Sequence, residues 1–338
     1  MSKKCGILLS ILFLSGCGIN SLLVPLVGIP TTNYLTRDYY EDKYQTYDTN
    51  YRKSNTFLEH RIPRGTHKLY AREFSESNGI KKPAIILLHG FPDSLHIYDQ
   101  LAPKLTRQYR VISFDFLGWG NSDKPKNHIY NSASLYQDLE AVIEYFGFEK
   151  VSLVVHDASG PPGIEWAIDN SEKTEMLVLL NTYYHPMDVL LTPEAIATFS
   201  TPSVKRTVIR TGAKLSNLGW RIGLQKQLNK FFYNETEREI MVPVLTHQAM
   251  SIRNSFFQLN NALNQEAKIR LNNKQKLSDY TGFVKIIFGK EDPYLNSKVA
   301  MKLNEILPNS TLNLVTHAAH FVQLDQPSEV SKIILAKK

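Results

Sequence analysis

The chain is poor in cysteine. Of its 338 residues only Cys5 and Cys17 are cysteine, and both lie in the first twenty positions. The remaining sequence therefore has no thiol for an internal disulfide or a Cys-ligated metal. Long hydrophobic runs are also lacking: the apolar stretch Gly6–Leu14 is too short for a membrane-spanning helix. Formal net charge is +7, yet no Lys/Arg block or Arg-aromatic array concentrates it. A nucleic-acid partner is thus unsupported, while mild attraction to an anionic membrane surface is consistent. No metal-ligand cluster or phosphate-cradling loop is present, so no cofactor and no metal are expected. With 43% hydrophobic and 21% charged residues, what is there is the composition of a globular chain with a large core.

The beginning of the chain differs from the rest. Lys3 and Lys4 precede the apolar stretch, and Leu14-Ser15-Gly16-Cys17 follows. A basic start, a short apolar run and small residues form a secretory signal pattern. The tetrapeptide resembles the bacterial lipobox, which implies cleavage after residue 16 and lipid on Cys17. The expectation is a protein of the bacterial cell envelope, anchored on the periplasmic or extracellular side of a membrane. Residues 17–55, polar and rich in Tyr, Asp and Asn after Pro30, are expected to form an extended or weakly ordered tether.

From Phe57 onward the pattern is that of a folded domain. Phe57–Ile62 and His67–Phe74 flank Pro63-Arg64-Gly65 and predict an antiparallel hairpin. Short apolar runs follow at Ala84–Leu88, Tyr109–Phe114, Val151–Val155, Met176–Leu180, Phe283–Phe288 and Leu312–Val315. Such runs suit strands buried on both faces of a parallel sheet. Segments of helical period lie between them, as at Ser132–Phe146, so the expected class is α/β. Residues 183–277 break the alternation. Helix-like stretches there (Ser216–Phe232, Glu235–Ile240, Gln248–Asn264) predict a helical cap inserted between core segments 56–182 and 278–338.

Motifs stand where strands end, the place at which open α/β sheets bind ligands. They are His89-Gly90-Phe91-Pro92, the turn Asp115 to Pro125, and Val155-His156-Asp157-Ala158-Ser159-Gly160. Farther on come Phe288-Gly289-Lys290-Glu291-Asp292-Pro293 and Thr316-His317-Ala318-Ala319-His320-Phe321-Val322. In order and spacing these resemble the α/β-hydrolase superfamily, especially its epoxide hydrolase and haloalkane dehalogenase branch. The resemblance runs from Phe57 to the C-terminus and weakens inside the cap. It implies an α/β-hydrolase fold, a mostly parallel sheet flanked by helices, with no cofactor beyond water.

The resemblance nominates Asp157 as nucleophile on a sharp strand-to-helix turn, with Ser159 the alternative. Val155 stands where the family usually has glycine, which implies a crowded turn. His320 is implied as base, with His317 three residues earlier as competitor. Asp292 is implied as the acid that orients it, with Glu291 beside it. Backbone N–H groups of Phe91 and Ala158 are the implied oxyanion donors. A carboxylate nucleophile attacks an sp³ carbon and forms an alkyl-enzyme ester, which activated water then hydrolyses.

The leaving group is less legible. Dehalogenases of this branch usually place Trp after the nucleophile, where this chain has Ala158, and often Asn where it has Phe91. Trp119 or Trp166 substitutes only if loops bring it inward. Epoxide hydrolases share the His-Gly-Phe-Pro loop and use cap tyrosines as acids. Tyr233 is nominated, with Tyr183 and Tyr184 at the cap entrance and Phe256-Phe257 where the second tyrosine is usual. The expectation is epoxide hydrolase-like chemistry on a small hydrophobic substrate. Dehalogenase-like chemistry, a Ser159 ester hydrolase and a non-catalytic lipid-anchored binding protein stand as alternatives.

Overall fold

The structure is a computed structural model that describes residues 37–75 and 82–337. Cys17 and the leader lie outside the described residues. Eight strands form one sheet: β1 (Leu58–Arg64), β2 (His67–Phe74), β3 (Ala84–Leu88), β4 (Arg110–Asp115), β5 (Val151–Asp157), β6 (Thr174–Thr182), β7 (Val284–Gly289) and β8 (Ser310–Val315). Their order is β1-β2-β4-β3-β5-β6-β7-β8. The first two strands form an antiparallel hairpin across Gly65-Thr66, β2 also runs antiparallel to β4, and the other pairs are parallel. Every residue of β3 and of β7 is buried, which is why their sequences are almost continuously apolar.

The order places the chemistry. From β3 the chain passes to β4 on one side, whereas β5 lies on the other, so the sheet reverses direction of winding between β3 and β5. Ligands bind outside the strand ends at such a switch point. Register pairs Leu88 with Val155, so the His89–Asp93 loop and the turn at Asp157 leave the sheet side by side.

Between β6 and β7 run the helices Glu194–Ser200, Val204–Leu215, Asn217–Leu228, Glu235–Ala249 and Arg253–Asn272. They close over the strand ends. Ser255 Oγ donates to Gly118 O at 2.8 Å, and Phe321 N donates to Phe231 O at 3.2 Å. The stretch expected to be one helix from Ser216 to Phe232 stops at Leu228. Phe231 and Phe232 then turn inward as buried side chains.

One expectation is corrected. Residues 37–54 are not extended chain but the helix Arg37–Ser54. No Gly or Pro interrupts the segment, and Tyr44, Tyr47 and Tyr51 recur at helical spacing. Their hydroxyls and rings find partners on the core. Tyr47 Oη donates to Asp99 Oδ2 at 3.1 Å, and Tyr51 Oη donates to Asp99 O at 3.2 Å. Beneath them the fully buried Arg72 pairs with Asp48 at 2.9 Å and Asp99 at 3.1 Å. Tyr44 stacks on His247 of the cap with ring centroids 4.4 Å apart. A polar composition thus hid a helix whose polar atoms are spent on a buried ion network.

Candidate active site

Strand β5 ends at Asp157, whose φ of +48° lies in the left-handed region. A non-glycine residue there costs on the order of 1–3 kcal/mol and persists only where its surroundings enforce it. Here Thr182 Oγ1 donates to Asp157 O at 2.6 Å. Ser159 Oγ accepts from His156 N at 2.9 Å and lies 2.8 Å from both Leu88 O and His156 O. The helix Gly160–Asp169 follows, with Pro161 and Pro162 in its first turn, where their missing N–H groups are harmless. Val155 is tolerated in this turn because Gly163 yields the space. A Cβ on Gly163 would stand 2.4 Å from Val155 Cγ1.

The Asp157 carboxylate faces the loop after β3, whose Phe91–Pro92 bond is cis. Gly90 permits the approach, since a Cβ there would lie 2.7 Å from Asp157 Cβ. Phe91 N donates to Asp157 Oδ2 at 3.3 Å, and the Ala158 N–H also hydrogen-bonds the carboxylate. Burial raises the pKa of Asp157 from its ordinary value, opposed by His320 and by these two donors.

His320 Nδ1 lies 2.8 Å from Asp292 Oδ2, with both side chains buried. Asp292 is held from every side. Its Oδ1 accepts from Tyr294 N at 2.8 Å and Leu295 N at 3.1 Å, and its Oδ2 also accepts from Asn181 Nδ2 at 2.9 Å. Burial alone would raise its pKa, but His320 and these donors hold it below the ordinary value. For His320, burial opposes the charge, yet Asp292, then Asp157 and Asp93, push its pKa up to about 9.

The competing residues lie elsewhere. Glu291 is exposed and accepts from Ala318 N at 3.1 Å, away from the imidazole. His317 is exposed and stands against Tyr233, ring centroids 5.4 Å apart. Ser159, 1% exposed, has its hydroxyl committed within the turn, so the serine alternative lacks a free nucleophile. Tyr233 is also corrected: its side chain is 47% exposed and packs outward on His317, not into the site. The cap residue that does reach His320 is Phe231, at 4.4 Å between rings. Trp166 is core.

His89 and His156 fasten loops. His89 Nδ1 lies 2.6 Å from Gly90 O, its Nε2 accepts from Phe116 N at 3.2 Å, and His156 Nε2 lies 3.0 Å from His320 O. Asp115 joins three segments, accepting from Leu95 N at 2.8 Å and Asn121 N at 2.7 Å.

Three residues that sequence reasoning passed over or left aside belong to the site. Asp93, directly after Pro92, is a third buried carboxylate, 3.9 Å from His156 Nδ1; burial and then Asp157 push its pKa up to about 8. Its place in the loop beside Asp157 was the available signal. Tyr183 follows Thr182 at the end of β6, and its hydroxyl is held protonated by burial and then by the charge of Asp157. Trp119 lines a small cavity of about 10 Å³ together with Phe91, Ala158 and the cap residue Leu259. Its indole N–H is buried and has no hydrogen-bond partner among the described residues. No cluster of three or more His, Cys, Asp or Glu among the described residues is disposed to hold a metal.

Arranged this way, the site can attack an electrophile with one carboxylate and activate water with a carboxylate-oriented imidazole. The chain is similar to several known proteins. The Bacillus subtilis AB hydrolase superfamily protein YfhM is 27% identical over 75% of this chain and 89% of its own length. Epoxide hydrolase 3 of Xenopus tropicalis is 21% identical over 75% of this chain and 71% of its own. A fluoroacetate dehalogenase from Burkholderia sp. is 36% identical, but over only 29% of this chain and 34% of that protein. Among solved structures, haloalkane dehalogenase DbeA from Bradyrhizobium elkani USDA94 shares the fold with a TM-score of 0.66 at 17% identity, covering 82% of this chain and 96% of that one. The family profile described as alpha/beta hydrolase fold matches residues 83–327, well over half of the sequence. The chain belongs to the α/β-hydrolase fold family and is a hydrolase.

Proposed function

We propose that this hydrolase works through a covalent ester on Asp157 and opens epoxides of small hydrophobic molecules. One observation carries the reading: the Phe91 N–H donates to Asp157 Oδ2 itself. In a serine hydrolase the oxyanion donors face a substrate carbonyl. Here they face a carboxylate of the protein, so the carbonyl they would polarise is that of an aspartyl ester.

In the proposed sequence, one Asp157 oxygen attacks a ring carbon and the carbon–oxygen bond breaks. The departing oxygen takes the Tyr183 hydroxyl proton, which solvent later restores. Water, deprotonated by His320 Nε2, then attacks the ester carbonyl carbon. The charge that develops on oxygen is met by the Phe91 and Ala158 N–H groups; on collapse the departing diol oxygen takes the proton back from His320, and the regenerated Asp157 acid gives its proton to solvent. Ester formation also neutralises Asp157, which removes one of the three carboxylates that hold the His320 proton. The base is therefore released as it is needed. On the leader's pattern, acyl chains on Cys17 hold the enzyme at the cell envelope.

A second reading, haloalkane dehalogenation, is favoured by the unpartnered Trp119 N–H beside Phe91 and Ala158. An indole donor lining an apolar cavity suits a departing halide. The two share Asp157 and differ in the leaving group. The test offers epoxides, haloalkanes and esters to the His320→Gln enzyme and examines the Asp157 peptide by mass spectrometry. An adduct formed from epoxides supports the first reading, and one formed only from haloalkanes supports the second. No adduct with any electrophile, together with unchanged properties of Asp157→Ala, contradicts both.

A further inference from the structure

The cap carries a surface that its fold does not use. Between Glu194 and Glu235 the chain has seven Lys or Arg side chains and no Asp or Glu. At the centre of this stretch is the helix Val204–Leu215, capped by Ser203, whose Oγ accepts from Arg206 N at 3.0 Å. Its inner side buries Ala213 and half-buries Ile209 against the cap. Its outer side is also apolar: Val204 is 82%, Val208 62% and Leu215 82% exposed. At 100° per residue these three fall within a narrow stripe, with Lys205 on one flank and Thr207, Thr211 and Lys214 on the other.

A soluble cap has no reason to turn three branched apolar residues outward on a helix that already buries its other side. On this helix Lys205, Arg206, Arg210 and Lys214 have no acidic partner within ion-pair distance among the described residues. Arg206 and Arg210 both donate to one amide oxygen, Asn261 Oδ1, and press on each other with like charge. They line, with Ser203, Thr207, Thr211 and Lys214, a shallow surface depression of about 210 Å³. Basic and hydroxyl donors of that kind match a phosphate-bearing headgroup, and the neighbouring stripe matches the acyl boundary beneath it. The helix has 12 residues, too few to cross a bilayer and enough to lie along one.

We propose that the outer face of the Val204–Leu215 helix is a membrane-docking surface that seats the cap on anionic lipid. Val204, Val208 and Leu215 enter the headgroup boundary, and Lys205 and Lys214, on the two flanks of the stripe, hold lipid phosphates. The proposal does not rest on the catalytic reading. It adds to any N-terminal anchor a fixed orientation, with the cap toward the bilayer.

The test uses the full chain with Cys5→Ser and Cys17→Ser, so that a single introduced cysteine carries an environment-sensitive fluorophore. Leu215→Cys and Val208→Cys report on the stripe, and Met301→Cys, on an exposed site of the core, is the control. With vesicles of mixed phosphatidylcholine and phosphatidylglycerol, the labels at 208 and 215 should shift to the blue while that at 301 does not. Lys205→Glu with Lys214→Glu should raise the lipid needed for half the shift by roughly tenfold or more. Far-ultraviolet circular dichroism should show these surface variants folded like the parent. The proposal is overturned if stripe and control labels respond alike or neither responds. It is equally overturned if the shift follows protein concentration without vesicles and light scattering gives a dimer, because the occupant is then a second copy.

Discussion

The floor of the site and the cap above it are built on different terms. On the floor, Asp157, Asp292 and His320 are held by hydrogen bonds at the strand ends. Asp292 alone accepts from Tyr294, Leu295 and Asn181, and Asp157 from Phe91 and Ala158. The cap contacts of the floor run largely through rings: Phe231 lies over His320, and Phe256 lies 5.6 Å from Phe91. A sheet edge can hold an oxygen to within tenths of an ångström, whereas apolar rings define a volume. The difference assigns reaction to the sheet and choice of substrate to the inserted helices.

That division can be broken by substitution. Asp157→Asn should lower kcat/KM by roughly 10⁴-fold or more, while Phe256→Ala should act mainly on KM, by about tenfold, and change the ranking of substrates. Steady-state kinetics on a substrate series checks both; equal losses would erase the distinction. Next in size, Asp292→Asn should cost roughly 10³–10⁴-fold in kcat through loss of imidazole orientation, with accumulation of the ester. Glu291→Gln, on the exposed neighbour, should leave kcat within a few-fold.

Acidity sharpens the contrast further, because the strongly shifted groups of the site lie on the floor. The folded-state pKa of His320 is raised from 6.5 to about 9. Its contribution is therefore fully present below pH 6.5 and is lost as pH rises through about 9. Asp93 is raised from 3.8 to about 8, so its contribution has the same sign and fades from about pH 4 up through 8. Urea unfolding should show stability falling between pH 6.5 and 9, by on the order of 3 kcal/mol for His320. Asp93→Asn and His320→Gln should each flatten the fall. The smallest effect expected is from Ser159→Ala. It leaves His156 N without its partner and should cost about 1–2 kcal/mol in stability while turnover stays within a few-fold.

Much of the floor was legible from residues alone. Strands buried on both faces must be apolar along their length, so the runs Ala84–Leu88 and Phe283–Phe288 announced β3 and β7. The resemblance carried by the motifs then nominated Asp157, Asp292 and His320 at strand ends, and the structure groups them. What could not be read is the direction of side chains in the cap. Phe231 and Tyr233 stand two residues apart, outside any regular helix, yet one enters the site and the other faces solvent. The cause is tertiary: Phe231 O accepts from Phe321 N, while Tyr233 N donates to Asp325. Asp93 was hidden for a similar reason, since burial of a loop carboxylate leaves no mark on spacing. The helix Arg37–Ser54 was hidden by its polarity, which is satisfied by Arg72 and Asp99.

The proposed chemistry turns on water attacking the Asp157 ester and not the substrate. A single turnover in H₂¹⁸O, with enzyme in excess of an accepted epoxide or haloalkane, tests it directly. The account predicts that the label enters the carboxylate of Asp157 in the peptide map and is absent from the first product molecule. Label in the first product, with an unlabelled Asp157, would contradict it.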